Sequence, residues 1–379
     1  MARIYIAMMI HNLSIAMTGL FGPLYIWQLT GSFATVCHMM VWYFVLRIFG
    51  LDFLVCKIMA QIGPKKTMSI GFLVTALSQV MSLSMELVHW PIWLLGSVLG
   101  MIHSFTVVPK NGEFSKIHNL KHEGKQIGYL QAVEKVGTIV GPLLAGAVAV
   151  LFGSKYIFLV GLAFMLVAIV PLLRSRETVP TKQKLNLRKL DFKKYRRNAV
   201  AYAFSGMELT MYNPLWPIFV AIVILGPATM YVGVGVLQSL SVVSSIVAAI
   251  LIGRLVDKRF GRKLLRLGAV FGALFYLARM FIRSYTGALG LNIAHEVVST
   301  ANHIPISKGF YDDADSDNST RFAYMAMVSY LDSWFKLAAW LAVLLVALAF
   351  GNLPAFYTGF AIAAAASLLS MTEKYRALD

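Results

Sequence analysis

Apolar and polar positions along the chain alternate in long blocks. Twelve apolar runs, approximately 4–27, 33–59, 67–87, 92–109, 127–152, 156–173, 198–225, 231–256, 264–282, 289–307, 321–350 and 354–371, are separated by short polar stretches. A hydrocarbon core about 30 Å thick takes about 20 apolar residues of helix, so each run is a predicted membrane-spanning helix. The pattern is also said twice. Pro23-Leu24-Tyr25 recurs as Pro214-Leu215-Trp216, Gly63-Pro64-Lys65-Lys66 as Gly261-Arg262-Lys263, and Pro109 with Phe114 as Pro305 with Phe310. The expected organisation is an all-α membrane protein of twelve helices in two pseudo-symmetric six-helix bundles: residues 1–173, a linker 174–197, and residues 198–379. Duplicated blocks of spanning helices are a common plan of secondary transporters, with the substrate site between the repeats.

Composition agrees with a chain that lives in lipid. Of 379 residues 58% are hydrophobic and 13% charged, and mean hydropathy is +0.71, against about 45–50% apolar and about 25% charged in a soluble domain. The net charge of +17 matters through its distribution. Lys and Arg fall between the apolar runs rather than on one patch, which argues against nucleic-acid binding. With the N-terminus in the cytoplasm, 28 of the 34 basic residues lie on the cytoplasmic side; Lys155, Arg279 and Arg283 lie outside, and Arg47, Lys135 and Lys336 fall within spans. The positive-inside rule therefore predicts a multi-pass protein of the cell membrane with both termini cytoplasmic. The first apolar run is too long for a cleavable signal. Segment 174–197 carries ten basic residues beside Glu177 and Asp191. It reads as a topology-setting linker against anionic headgroups, or as a regulatory or partner site. The acidic stretch 312–317 reads as a solvated turn.

No cofactor or metal is implied. Cys37 and Cys56 lie 19 residues apart on one predicted helix, about 28 Å along its axis, too far for a disulfide. No CxxC, Walker A, HExxH or GxSxG pattern occurs, so catalysis and direct ATP hydrolysis are not expected.

Between the eighth and ninth runs stands Gly253-Arg254-Leu255-Val256-Asp257-Lys258-Arg259-Phe260-Gly261-Arg262-Lys263. This segment resembles, nearly position for position, the cytoplasmic loop signature of the major facilitator superfamily. The first-half copy, residues 57–66, is degenerate, with Gln61 where the family has Asp. The resemblance implies two bundles rocking about a central cavity. The first, fourth, seventh and tenth helices would line it, and the second, fifth, eighth and eleventh would form the seam. It implies Asp257 as the motif acid, with Gly253, Arg254, Arg259, Gly261 and Arg262 around it; the same charges could simply fix topology. In the fifth run, Gly137, Gly141, Pro142 and Gly146 resemble the motif of the family's antiporters. Glycines four apart let a neighbouring helix approach and Pro142 removes one backbone donor. Ordinary tight packing would leave the same trace, as at Gly96/Gly100 and Gly268/Gly272.

Ionisable groups at mid-bilayer cost about 2.5–3.5 kcal/mol each on insertion scales and so need a partner, water or a purpose. Asp332 and Lys336 are four apart and share a helix face; Arg47, facing them across the seam, would compete for Asp332, giving either an inter-bundle gate or a static bridge. Glu208 has no opposite charge within a turn and is the first candidate for proton coupling, with Glu134 next; a neutral structural Glu is the alternative. His11, Asn12, His103, His295, Glu296, Tyr25, Tyr212, Asn213 and Trp216 are candidate cavity residues. His303 also titrates near neutrality, and Trp27 stands beside the repeated Pro-Leu-aromatic landmark. Interfacial aromatics and core histidines are the plainer explanations. The expected function is proton-coupled secondary transport of a small organic solute by a monomer, with antiport or efflux ahead of sugar or nutrient symport. A non-transporting receptor or scaffold on the same fold is the alternative from another class.

Overall fold

The computed structural model describes residues 2–114, 123–175, 187–256, 260–316 and 320–378. Among these no strand occurs, and twelve helical runs of 18 residues or more follow in order. They are α1 Ala2–Thr30, α2 Phe33–Ile62, α3 Pro64–Leu83, α4 Ile92–Phe114, α5 Glu123–Leu151, α6 Tyr156–Leu173, α7 Phe192–Leu225, α8 Met230–Leu255, α9 Gly261–Arg279, α10 Tyr285–Asp315, α11 Arg321–Phe350 and α12 Asn352–Ser370. Eight of them (α1, α2, α4, α6, α7, α8, α11 and α12) are long and apolar enough to cross a membrane. On α3 and α10 the polar residues that lower the hydropathy face inward: Thr75, Ser78 and Gln79 on α3, Asn292, His295 and Asn302 on α10 are all buried. Leu73, Leu77, Leu159, Val167, Val247, Leu251, Leu274, Leu345 and Leu348 point out. Apolar outside and polar inside is the reverse of a soluble bundle and suits a lipid solvent.

The duplication is written in the backbone as well. Gly31 between α1 and α2 (φ 65°) is matched by Gly226 between α7 and α8 (φ 76°), 195 residues on. Gly153 between α5 and α6 (φ 108°) is matched by Gly351 between α11 and α12 (φ 85°), 198 residues on. These conformations are cheap only for glycine, so both halves turn their corresponding corners by the same device.

Two long helix contacts join the halves: α5 runs along α8, and α2 along α11. The first is close because small residues line it. A Cβ on Gly146 would meet the Val232 Cα at 3.3 Å, and one on Gly235 would meet the Pro142 carbonyl oxygen at 2.6 Å. Cys37 and Cys56 are free, buried residues of α2.

At the face carrying both termini, the residues after α12 form a strap. Arg262 Nε donates to Glu373 Oε1 (3.1 Å) and its Nη2 to the Tyr375 carbonyl (2.9 Å). Tyr375 Oη donates to the Asn198 carbonyl (3.2 Å), while Asn198 accepts from the Lys374 amide and donates to Asp313 Oδ2, both at 2.8 Å. The strap thus ties together the ends of α7, α9 and α10. In the first half Lys65 and Glu113 make the corresponding terminal-face ion pair at 3.1 Å.

Two outcomes follow. Gly235→Leu should lower stability by about 1–3 kcal/mol through overpacking, read as a lower thermal midpoint in nanodiscs, whereas Gly290→Ala, with open space around its Cα, should not. Asp313 lies six residues beyond the predicted tenth span, and burial lifts its carboxyl from the ordinary 3.8 to about 6. A raised value favours the protonated form in the folded state, so this group costs stability increasingly as pH rises from about 4 to above 6. Asp313→Asn should therefore raise the midpoint at pH 7.5, with the gain vanishing near pH 4.

Candidate functional site

The centre of the α2–α11 seam is a cluster of four charges. Arg47 Nη2 lies 3.3 Å from Asp52 Oδ2 and 3.8 Å from Asp332 Oδ2, and Lys336 Nζ lies 2.6 Å from Asp332 Oδ2. All four residues are buried. Ser104 Oγ donates to Asp52 Oδ1 (2.6 Å); Ser329 Oγ donates to Asp52 Oδ2 (2.9 Å) and accepts from Arg47 (3.1 Å). Two cations face two carboxylates, so the cluster is formally neutral. Asp52 was absent from the sequence reading. Residues five apart sit about 140° around an α-helix, but Arg47–Leu51 is a π-helical turn in which Gly50 takes φ 96°. The extra residue in that turn brings Arg47 and Asp52 onto one face. Gly206 of α7 leaves room beside the cluster: a Cβ there would fall 3.0 Å from Lys336 Nζ.

Beside this cluster lie two cavities of about 550 and 490 Å³. Both are lined by His103, Thr138, Gly206, Leu209, Asn213 and Lys336, so they meet at mid-depth. The larger extends among α1, α2, α3, α4 and α6 and is mostly apolar, with Ile15, Leu20, Ile26, Met39, Leu95 and Phe158 on its walls. The smaller extends among α4, α5, α7, α10 and α11 and is the more polar of the two, with Asn111, Lys135, Glu296, Ser299, His303 and Asp332 set among apolar residues such as Val108, Ile306 and Phe310. Lys135 Nζ of α5 reaches Glu296 Oε2 of α10 at 3.7 Å, an ion pair between the halves. Contacts across the seam occur on both sides of the cavities. Tyr311 donates to Asn111 (3.1 Å) near the terminal face. At the other face Tyr231 donates to Gln28 (2.6 Å), and the rings of Phe33 and Phe356 lie 4.3 Å apart.

Behind the polar cavity a buried network fills the second half. Tyr276 Oη donates to Glu208 Oε1 (3.0 Å), and Asn302 Nδ2 to Glu208 Oε2 (3.4 Å). Tyr212 Oη bonds Asn292 Oδ1 (2.7 Å) and Glu296 Oε1 (3.0 Å). Arg279 lies against three ring faces, with Cζ 4.6 Å from the Tyr212 centroid, 4.7 Å from Trp216 and 5.1 Å from Tyr276. Its one side-chain hydrogen bond among the described residues is a 3.5 Å contact to Asn292. The charge distribution assigned Arg279 to the outside of the membrane; the structure buries it completely, because cation–π contacts hold it among the rings. His295 packs 4.7 Å from both Tyr212 and Tyr276, and neither ring nitrogen has a partner among the described residues.

The sequence candidates divide accordingly. Arg47, Asp332 and Lys336 are brought together. His103, Tyr212, Asn213 and Glu296 line a cavity. Glu208 is buried behind the cavity walls, among Tyr276, Asn302 and the Gly272 backbone. His11 stacks on Phe72 (4.4 Å) and bonds Asn12, Tyr25 Oη reaches Glu86, and Trp216 and His295 are core residues; none of these lines either cavity. Gly137 and Gly141 admit the α1 backbone at Leu13, and Gly146 admits α8, so the α5 motif is a two-sided packing surface. Gly253 is buried, Arg254 is exposed and Gly261 supports Leu378. Asp257, Arg259 and the Glu134 side chain lie outside the described residues.

The sequence profile described as the Major Facilitator Superfamily matches residues 4–302. The chain belongs to that superfamily. Among curated proteins no sequence matches it. Solved structures of the superfamily fold superpose along nearly its whole length. A bacterial homologue of the iron transporter ferroportin, in an outward-facing state, matches with TM-score 0.67 at 13% identity, covering 98% of this chain and 97% of the other. The fucose:proton symporter of E. coli gives 0.67 at 11% identity over 98% and 96%. The human organic anion transporter MFSD10 gives 0.69 at 12% identity over 97% and 98%. At these identities the likeness is one of fold.

In this superfamily member the four-charge cluster has a measurable signature. Asp52→Leu leaves Arg47 short of a carboxylate, Arg47→Leu leaves Asp52 without its guanidinium, and each should cost about 3–5 kcal/mol. Combining Asp52→Leu with Arg47→Leu should recover much of that loss, the coupling being read by a double-mutant unfolding cycle.

Proposed function

We propose that this chain is a secondary active transporter that moves a small organic solute by alternating access, coupled to protons. One observation carries the reading: the two cavities meet at mid-depth on the seam between the sextets, and their walls come from both halves. Rocking about α2–α11 and α5–α8 would expose such a site to each face in turn. The superfamily's transporters support that plan. The fold neighbours do not choose between symport and antiport; the antiport or efflux reading rests on the likeness of Gly137, Gly141, Pro142 and Gly146 to the motif of the superfamily's antiporters.

Arg47, Asp52, Asp332 and Lys336 act as the inter-bundle latch in this reading, exchanging partners as the seam opens. Glu208 is the proton carrier: a carboxyl in a dry interior, tied through Tyr276 to the ring cluster around Arg279 and so to Tyr212 and Glu296 at the cavity wall. The hydrogen bonds from Tyr276 and Asn302 fix where that carboxyl sits. The terminal face is the cytoplasmic one of a cell membrane, on the strength of its Lys and Arg excess.

Flux in proteoliposomes tests this. Under an imposed pH gradient the native protein should accumulate its solute uphill. Glu208→Gln should lose accumulation while keeping counterflow exchange within about twofold, the pattern of a lost coupling step with intact binding. Full uphill transport by Glu208→Gln would remove Glu208 from the mechanism.

A further inference from the structure

The two cavities differ in character, and the difference specifies a ligand. In the larger lobe the hydroxyls of Thr18, Ser78 and Ser82 bond carbonyls of their own helices, and Gln79 Nε2 is held by Ser14. Gln79 Oε1 has no hydrogen-bond partner among the described residues. The rest of the wall is mainly aliphatic, methionine and phenyl surface, with Tyr43, and with His103, Asn213, Gln238 and Lys336 where the two lobes join. The smaller lobe carries more polar and charged groups. Each of its lysines already has a carboxylate, Lys135 with Glu296 and Lys336 with Asp332, so its walls carry no net charge. Asn111, Asn213, Gln238, Ser299 and His303 add neutral donors and acceptors.

We propose that the two lobes are one site for an amphipathic molecule with an apolar chain and a polar head of zero net charge, either hydroxylated or zwitterionic; this rests on the transport reading above. The chain enters the lobe between α1, α2, α3, α4 and α6, and the head lies between Lys135–Glu296 and Lys336–Asp332. A head with one unbalanced charge would enter a low-dielectric site whose ions are already matched, and would lose its hydration without a counter-ion. A zwitterion or a sugar-like head exchanges hydrogen bonds instead.

The probes are n-alkyl chains of increasing length on four heads: glucoside, phosphocholine, sulfate and trimethylammonium. Binding is measured by calorimetry on the full chain in nanodiscs, below each probe's micelle threshold. The glucoside or phosphocholine series should bind at least about tenfold more tightly than both ionic series at equal chain length. Affinity should rise about fourfold per methylene and then stop rising when the lobe is full. Gly22 lines the apolar lobe and has no atom within 4 Å of a Cβ position. Gly22→Leu should therefore keep the unliganded thermal midpoint and move the cut-off to shorter chains. Gly19→Leu, whose Cβ makes only an ordinary contact with Ile15, serves if the first variant folds poorly. Equal binding of ionic and net-neutral heads, or an unchanged cut-off in a folded variant, overturns the proposal. Saturable binding without flux would remove transport and leave this site. Flux of a chain-free solute with which the alkyl series does not compete would remove this site and leave transport.

Discussion

Balancing charge without water is the constraint on which the rest of this structure depends. An ion in hydrocarbon has no solvent to screen it, and its cost must be met inside the protein, by an opposite charge with good hydrogen bonds or, as at Arg279, by aromatic ring faces. Arg47, Asp52, Asp332 and Lys336 meet that condition together at the middle of the α2–α11 seam. The local departures from ideal helix serve the same end. The π-helical turn rotates Asp52 toward Arg47, Gly50 takes the backbone angle that turn requires, and Gly206 stays bare where a side chain would strike Lys336. At this point the seam is held by polar contacts, set between apolar contacts such as Phe53 on Tyr330.

The halves have kept their shared corners and diverged in what they offer the centre. The first contributes most of the apolar wall, the second most of the polar groups and a cation enclosed by rings. Glu208 and Glu296 each accept from a tyrosine, Tyr276 and Tyr212, and both tyrosine rings lie on Arg279. One buried guanidinium thus lies between two tyrosine–carboxylate pairs without touching either carboxylate.

Much of the fold was legible in the residues. The twelve runs and the repeated landmarks follow from hydropathy and spacing alone, and the Asp332–Lys336 pair from its i, i+4 separation. The missed features depend on departures from that regularity or on distant contacts. Asp52 lies on the wrong side of an ideal helix from Arg47 and joins it only through the π-turn. Arg279 ends α9 beside Met280, Phe281 and Ile282 and reads as an interfacial anchor; that Tyr212 and Trp216, more than sixty residues earlier, wrap it is a tertiary fact. Glu208 stood out as isolated on its own helix, but its partners Tyr276 and Asn302 come from α9 and α10. The apolar lobe is assembled from helices of both halves, none of which announces a cavity in its own sequence.

The strap after α12 has a consequence for how the chain matures. In the first half the carboxylate of the terminal-face pair, Glu113, sits on α4. The matching position of the second half, 196 residues on, is Gly309, against which the Tyr375 ring lies, and the carboxylate that meets Arg262 belongs to Glu373. Domains generally fold in the order they are synthesised. The first sextet can form its Lys65–Glu113 pair before any of the second is made, while the second forms its Arg262–Glu373 pair only once α12 has been made, so the nascent chain passes through an interval as one latched bundle and one unlatched bundle sharing the same bilayer.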